Sequence, residues 1–270
     1  MADLPKPPRI QALARAGAII DVIAAGDEEG VGLSEISRAT TLNKTTAFNL
    51  LASLVTLRFL DQDAHSRRYR LGLRNLELGR IVQQRLHISH LARPILADLC
   101  KKTNETVNLG LPDLLDLFVV DSYQGSRLLH ATAYGGWRSM YHCTALGKAF
   151  MAQWDAPMRH TVYRLRGLPR QTPRTITDID TLEAQLAGFL VQGYAVDVGE
   201  NEVGVNGIAR SIVNGLGEAA AAISVSGHSN RLTEDIMEQI APDVIVAADS
   251  ITAALAGGDR PDSRESRGRQ

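Results

Sequence analysis

The chain has 270 residues, enough for two domains and a sizeable buried core. Hydrophobic residues make up 44% and charged residues 22%, as in ordinary globular proteins, and a net charge of -1 gives no overall bias towards nucleic acid. No apolar run reaches the roughly 18 to 20 residues of a membrane span, and two cysteines are too few for a disulfide framework. We therefore expect a cytoplasmic protein without a membrane partner or cofactor.

The first quarter of the chain has the pattern of three helices followed by a β-hairpin. Apolar residues recur at helical spacing over residues 9–25, Ser34 is placed to cap a short second helix, and Asn43 to cap a third over residues 44–57. The next segment, RFLDQDAHSRRYRLG, alternates apolar and polar residues around a polar turn. This order is typical of a winged helix-turn-helix, which we assign to residues 9–71.

The third predicted helix has an unusual outer face. Its apolar stripe consists of Ala47, Leu50, Leu51 and Leu54. The opposite face carries Thr45, Asn49, Ala52 and Thr56 instead of long charged side chains. Because this helix lies in the major groove in a helix-turn-helix, we expect Thr45 and Asn49 to contact base edges. The segment 38–74 also has seven basic and two acidic side chains, an excess of five positive charges.

Other residues around this helix are expected to hold the DNA backbone. Lys44 and Thr46 lie near the positive helix N-terminus, where phosphates bind. Arg67 and Arg68 at the hairpin tip are expected to reach the backbone or the minor groove. Phe48 has two interpretations, packing on a neighbouring element or touching a thymine methyl group. A small helical bundle with a hairpin remains the alternative to a DNA-binding module.

The rest of the chain predicts a helical linker and a mixed domain. Residues 72–88 have helical spacing, and we interpret His87 and His90 as surface residues because no third metal ligand lies nearby in sequence. Residues 89–256 mix strands, such as TVNLGL, RLLHATA, GYAVDVG and AAAAISVSG, with helices in CTALGKAFMAQW and after LTED. This pattern predicts an α+β domain, and the polar residues 257–270 predict a disordered tail.

The chain resembles the IclR family of bacterial transcription regulators from about residue 10 to residue 256. The similar stretches are GLSEISRATTLNKTTAFNLLASL, RRYRLG, LELG, HCTALGKAF, TPRTITD, GYAVDVGE and ISVSGHSNRLTE, in this order. The resemblance implies a winged helix-turn-helix, a helical linker and a GAF-like domain that binds a small organic acid. It also implies a homodimer or homotetramer that represses or activates genes from palindromic double-stranded DNA operators.

The resemblance also implies an effector site. The family's pocket acid matches Asp197, and its pair of pocket serines matches Ser224 and Ser226. A carboxylate would be met by backbone N-H groups and serine hydroxyls, with Arg138 or Arg210 as candidate charge partners. Asp197 is then expected to accept a hydroxyl of the ligand and not to face its carboxylate. Asp197 is alternatively a turn-capping residue, and the two serines are alternatively polar strand positions without a ligand.

The loop GGWRSMYH implies a further wall of this site, with Trp137, Met140, Tyr141 and His142 as candidates. Gly207 stands where many family members have a ligand-contacting cysteine. The missing side chain frees volume, so we expect an acid larger than two or three carbons, with aromatic acids among the candidates. The alternative is that Gly207 only permits a backbone bend.

An enzyme is the main alternative to a regulator. Cys143 follows His142, but adjacent strand residues point to opposite faces, so neither can readily activate the other. The stretch GHSN lacks the glycine pattern of a nucleophile elbow, and GLGEAAA does not match a phosphate loop. We therefore expect no catalytic residues and no metal site. A scaffold that uses its winged helix for protein contacts is a second alternative.

Overall fold

The structure, a computed structural model, describes residues 8–126 and 136–258. The chain divides into two compact units, Met1–Arg85 and Leu86–Gln270. The elements of the first unit are α1 (Gln11–Ala24), α2 (Leu33–Ala39), α3 (Lys44–Thr56), β1 (Leu60–Gln62), β2 (Tyr69–Leu71) and α4 (Arg74–Arg85). Its core contains Ile19, Ile36 and Leu51 from the three helices. The predicted winged helix-turn-helix is confirmed.

The helix caps of this unit agree with the sequence prediction at one of two positions. The Asn43 side chain accepts a hydrogen bond from the Thr46 N-H at 2.8 Å, so it caps α3 as predicted. The cap predicted at Ser34 is wrong, because α2 begins at Leu33 and its N-cap is Gly32, two residues before Ser34. The Glu35 carboxylate accepts the Gly32 N-H at 3.2 Å and thereby stabilises this start.

The second unit is an α+β domain. Its elements are α5 (His87–Thr103), β3 (Thr106–Asp113), β4 (Asp116–Tyr123), β5 (Trp137–Ser139), α6 (Ala145–Gln153), α7 (Ala156–Arg166), α8 (Ile179–Gln192), β6 (Ala195–Val198), β7 (Val205–Val213), β8 (Ala219–His228) and α9 (Glu234–Gly258). Its strands form an antiparallel sheet in the order β5-β4-β3-β8-β7-β6.

Two segments of this unit differ from the sequence prediction, and one lies outside the described residues. The predicted strand RLLHATA falls on residues 127–133, which the structure does not describe. Helix α7 is not predicted, because arginines interrupt its apolar residues and only Val162 and Tyr163 are buried. Helix α9 runs to Gly258, so the first two residues of the predicted tail are helical. The remainder of that tail is outside the described residues.

The sheet separates two apolar clusters. On one face, Val225 of β8 packs with Leu96 of α5 and Ile251 of α9. On the other face, Ala209 of β7 packs with Phe150 of α6 and with residues of α8. Successive strand residues point to opposite faces, so Ser224 and Ser226 project away from Val225. They therefore lie on the face that α6 covers. This covered face carries the candidate ligand site.

Helix α9 is long and apolar enough between Glu234 and Ala256 to cross a membrane, by length and composition only. Charged residues interrupt its apolar residues, so it contains no continuous apolar run of that length. Core helices of soluble proteins pass the same test. Val244, Ala248 and Ile251 of this helix are buried in the cluster that covers the sheet. These contacts favour a core helix.

Candidate functional site

The outer face of α3 is exposed as the helical spacing predicts. Thr45, Asn49, Ala52 and Thr56 are exposed, whereas Ala47, Leu51 and Leu54 are buried. The Thr56 hydroxyl donates to the Ala52 carbonyl at 2.9 Å and is therefore engaged within the helix. The side chains of Thr45 and Asn49 make no hydrogen bond to the residues that the structure describes. Their polar groups are free to meet a partner.

Phe48 and the start of α3 lie beside this face. The Phe48 side chain is 49% exposed, so it does not belong to the core of its unit. Lys44 is exposed at the first helical position, and Thr46 is half-buried. The location of Phe48 favours contact with a partner over packing on a neighbouring element.

The two arginines of the hairpin tip have different environments. Arg68 donates through Nε to the Gly30 carbonyl at 2.8 Å, and its guanidinium pairs with the Glu35 carboxylate at 3.0 Å. Arg68 thus braces the hairpin against the start of α2, and the expectation that it projects towards DNA is not supported. Arg67 is exposed, and its backbone N-H donates to the Asp63 carbonyl at 3.0 Å.

A cavity of about 70 Å³ lies between the sheet and the start of α6. Five predicted ligand residues line it, namely Trp137, Asp197, Gly207, Ser224 and Ser226. The other lining residues are Asn108, Ser139, Thr144, Ala145, Leu146, Asn201, Glu202, Val205 and Asn206. A larger open groove of about 560 Å³ shares only Asn206 with this cavity and contains none of the predicted ligand residues.

The two serines belong to a polar row on the covered face of the sheet. Ser224 accepts a hydrogen bond from Asn108 Nδ2 at 3.4 Å, and Asn108 Oδ1 accepts one from the Ser122 hydroxyl at 2.8 Å. Ser226 is half-buried and pairs with Gly207 in the β7-β8 ladder. Asn108 is not among the residues predicted from the sequence. A single amide within the apolar strand TVNLGL was the signal for it, because buried polar residues need partners.

Gly207 leaves space in the cavity instead of bending the strand. It pairs regularly with Asp197 on one side and Ser226 on the other, and the irregularity of β7 lies further along the strand. A Cβ atom at this position would lie 3.4 Å from the Ala145 Cβ and 3.4 Å from the Ser226 Oγ. The side-chain direction of residue 207 therefore points at the cavity wall.

Three predicted ligand residues do not line the cavity. The Tyr141 ring packs against Trp154 with centroids 4.6 Å apart, and its hydroxyl donates to a β4 carbonyl at 2.6 Å. The buried His142 ring lies 3.1 Å from the Pro169 carbonyl through Nε2. Met140 Sδ accepts a hydrogen bond from a loop amide. Tyr141 and His142 are buried away from the cavity, and Met140 contacts a loop side chain instead, so the expectation for these three residues is not supported.

Comparison with known proteins identifies the family. The profile described as "Bacterial transcriptional regulator IclR C-terminal" matches residues 81–253, and that of the "IclR helix-turn-helix domain" matches residues 12–64. The chain belongs to the IclR family. It is 28% identical over 259 residues to the transcriptional repressor IclR of Escherichia coli, covering 95% of this chain and 94% of that protein.

Two solved structures share the fold of this IclR-family chain. The IclR structure from Thermotoga maritima has a TM-score of 0.72 and 28% identity, covering 91% of this chain and 98% of that one. An IclR homolog from Microbacterium hydrocarbonoxydans, complexed with 4-hydroxybenzoate, has a TM-score of 0.75 and 23% identity. The match covers 90% of this chain and 98% of the homolog. At that identity the second likeness shows the fold alone.

In this IclR-family chain, Asp197 is both a turn cap and a cavity wall. Its Oδ1 accepts the Glu200 N-H at 2.7 Å, and the residue is only 6% exposed. Burial raises the pKa of the Asp197 carboxyl to about 7, although the Glu200 amide and the Lys148 charge oppose the shift. The carboxyl is thus poised to exchange a proton near neutral pH.

The two arginines expected to meet a carboxylate are engaged elsewhere. Arg138 pairs with Asp113, and its guanidinium also lies over the Phe118 ring. Arg210 pairs with Asp249 at 3.0 Å. Neither arginine lines the cavity. The expectation that they are charge partners of the ligand is therefore not supported.

The start of α6 supplies the positive pole of the cavity. The Thr144 hydroxyl accepts the Gly147 N-H at 3.0 Å and caps the helix. Ala145 and Leu146, the first two residues of this helix, both line the cavity. Their N-H groups have no acceptor among the described residues, as is usual in the first turn of a helix. Such a helix start favours an anion. Backbone N-H groups at the ligand are predicted from the sequence, but these two residues are not among the predicted ones.

The residues considered for catalysis are buried. The Cys143 thiol contacts the Asn201 side chain at 3.6 Å, and burial raises its pKa to about 12. A thiol with this pKa is almost entirely protonated at neutral pH and is a poor nucleophile. Burial also lowers the pKa of His142. IclR-family members are transcriptional regulators and not enzymes, and these environments agree with that role.

Proposed function

We propose that this regulator reads an operator in double-stranded DNA through the outer face of α3, and that a small carboxylic acid in the cavity modulates this binding. The proposal includes action in the bacterial cytoplasm as a repressor or an activator. The observation that carries it is one cavity lined by the first two residues of α6, Ala145 and Leu146, and by Ser224 and Ser226 of β8. A helix start and serine hydroxyls favour a carboxylate.

The cavity volume supports a small acid. A dry cavity that accepts benzene has a volume of about 150 Å³. The cavity here has about 70 Å³, so an aromatic acid would require its walls to move outward. This volume does not favour the larger, aromatic acid that the glycine at position 207 predicted. We propose instead an acid of about two to four carbons.

Calorimetry tests the effector site. Glyoxylate, pyruvate and 4-hydroxybenzoate are titrated into the full chain, into Ser226→Ala and into Ser250→Ala. Ser226→Ala removes a hydrogen-bonding hydroxyl and should cost roughly 0.5 to 1.5 kcal/mol of binding free energy. Ser250 is the control, because its hydroxyl donates to the Val246 carbonyl on α9 and does not line the cavity. Equal effects of both substitutions, or no heat with any acid, would contradict the site.

Base reading by α3 is tested with an operator selected from random DNA. Asn49→Ala should cost roughly 1 to 3 kcal/mol on this operator and relax the preference at one base pair. Arg67→Ala should weaken binding to all sequences and lower the salt slope by about one unit, because it removes a phosphate contact. If Asn49→Ala weakens operator and random DNA equally, Asn49 does not read a base.

The first unit also has an apolar surface that supports a homodimer. Helix α4 has no buried residue. Large apolar side chains are exposed on α1 and α4 and at the residue just before each helix, namely Ile10, Leu13, Leu73, Leu76, Leu78, Ile81 and Val82. Apolar patches of this kind mark protein contacts, and a symmetric dimer would present two recognition helices about 34 Å apart to a palindromic operator. Further contacts through the second unit would give a homotetramer.

Sedimentation tests the dimer. The double substitution Leu76→Lys and Ile81→Lys places two charges on α4 and should convert the oligomer to smaller species at micromolar concentration. Leu216→Lys is the control, since Leu216 is exposed on the β7-β8 turn and outside the proposed surface. A wild-type monomer whose footprint covers one half-site would refute the proposal.

A further inference from the structure

The cavity has an unusual charge for a site that takes an acid. Its lining residues include two carboxylates, Asp197 and Glu202, and no lysine, arginine or histidine from the described residues. The nearby cation Lys148 is paired with Glu200, at 2.5 Å between Nζ and Oε1. A ligand carboxylate would therefore enter next to fixed negative charge, with only backbone and hydroxyl donors to balance it.

The strand register forces a bound acid close to Asp197. Asp197 pairs with Gly207, and Gly207 pairs with Ser226, so the three residues lie side by side on β6, β7 and β8. A Cβ at Gly207 would be 3.4 Å from both the Ala145 Cβ and the Ser226 Oγ. Neighbouring strands are about 4.8 Å apart. In a cavity of about 70 Å³ that Asp197 also lines, an acid that reaches the start of α6 lies close to Asp197.

We propose that the cavity takes up a monocarboxylic acid together with one proton, which Asp197 holds and donates in a hydrogen bond to the ligand carboxylate. This inference rests on the proposed function and specifies the chemistry of the same site. The acid enters as its anion, the proton comes from solvent, and no covalent bond to the ligand forms. Two adjacent carboxyl groups that share one proton avoid the repulsion of two ionised ones.

The surroundings of Asp197 identify it as the proton carrier. Burial raises its pKa to about 7, and the Glu200 charge acts in the same direction. The Lys148 charge and the Glu200 and Asn201 amides act in the opposite direction and do not cancel the burial. The Cys143 thiol nearby is neutral at this pH, since burial raises its pKa to about 12.

Glu202, the other carboxylate of the wall, is exposed to solvent. Water can therefore stabilise its charge. A dicarboxylate or a phosphate would bring a second negative charge that one proton cannot neutralise. The site should therefore prefer monocarboxylates to dicarboxylates of similar size.

The test is calorimetry of pyruvate, glyoxylate and 4-hydroxybenzoate binding between about pH 5.5 and pH 8.5 in buffers of different ionisation enthalpy. At high pH, binding should take up about one proton, and the association constant should fall about tenfold per pH unit above pH 7 and level off below it. Asp197→Asn keeps the acceptor for the Glu200 N-H and supplies an amide donor, so it should bind without proton uptake. Glu202→Gln should keep the uptake.

Each outcome decides a different point. Binding of any of the three acids to the wild type at about pH 8.5 without proton uptake overturns the proton sharing and leaves the acid site intact. No binding of any acid at any pH overturns both proposals. Carboxyl carbon NMR of the ligand-free chain, compared with Asp197→Asn, gives a readout that needs no effector. An Asp197 pKa near the ordinary value of about 4 would overturn the inference.

Discussion

Replacement of Lys148 by methionine should destabilise the second unit strongly. Lys148 is 0% exposed, and its Nζ lies 2.5 Å from Glu200 Oε1 and 2.9 Å from Gln185 Oε1. It also lies 5.4 Å from the centre of the Phe189 ring. Lys148→Met preserves most of the side-chain volume and removes the charge. Glu200 would then be buried without its cation.

The expected loss is about 3 to 5 kcal/mol, the usual cost of removing one partner of a buried ion pair. A domain is stabilised by about 5 to 15 kcal/mol, so this loss is a large part of the total. Glu200 has little other support, because its Oε2 is buried and has no hydrogen-bond partner in the described structure. Adding Glu200→Gln to Lys148→Met removes the unpaired charge and should recover a substantial part of the loss.

Urea unfolding of the full chain, followed by circular dichroism at pH 8, measures these changes. Lys101→Met is the control, since Lys101 forms an exposed pair with Asp98 on α5. If Lys148→Met resembles this control, or if the double variant is no more stable than the single one, the ion pair does not hold this region.

Three further outcomes are expected. The raised pKa of Asp197, about 7, means that the folded chain keeps a proton that the unfolded chain releases near pH 4. Wild-type stability relative to Asp197→Asn should therefore fall between about pH 4 and pH 7, by at most about 1.4 kcal/mol per pH unit; a constant difference in urea unfolding would contradict this. Asn43→Ala should lower the stability of the first unit by about 1 kcal/mol in thermal unfolding, because it removes the α3 cap; no change would show that the cap is dispensable. Gly207→Cys should weaken effector binding about tenfold or more in calorimetry by filling the space beside Ala145, and unchanged affinity would place residue 207 outside the site.

The sequence by itself determined the features that depend on neighbours along the chain. The rotation of about 100° per residue placed Thr45 and Asn49 opposite the buried stripe of α3, and the structure shows both exposed. The alternation of strand residues likewise placed Ser224 and Ser226 on the face opposite Val225. Both outcomes follow from the local backbone geometry of a helix or a strand, and they do not depend on contacts with distant residues.

Only the tertiary structure decided which distant groups meet. Arg68 pairs with Glu35, 33 positions earlier, and so braces the hairpin instead of projecting from it. Asn108 joins Ser224 because β3 pairs with β8, 116 positions further along the chain. The loop side chain of Tyr141 is drawn into the core by the aromatic rings of α6 and Trp154, away from the cavity. Periodicity fixes the face on which a side chain lies, but its partner depends on long-range strand pairing and packing, which local spacing does not encode.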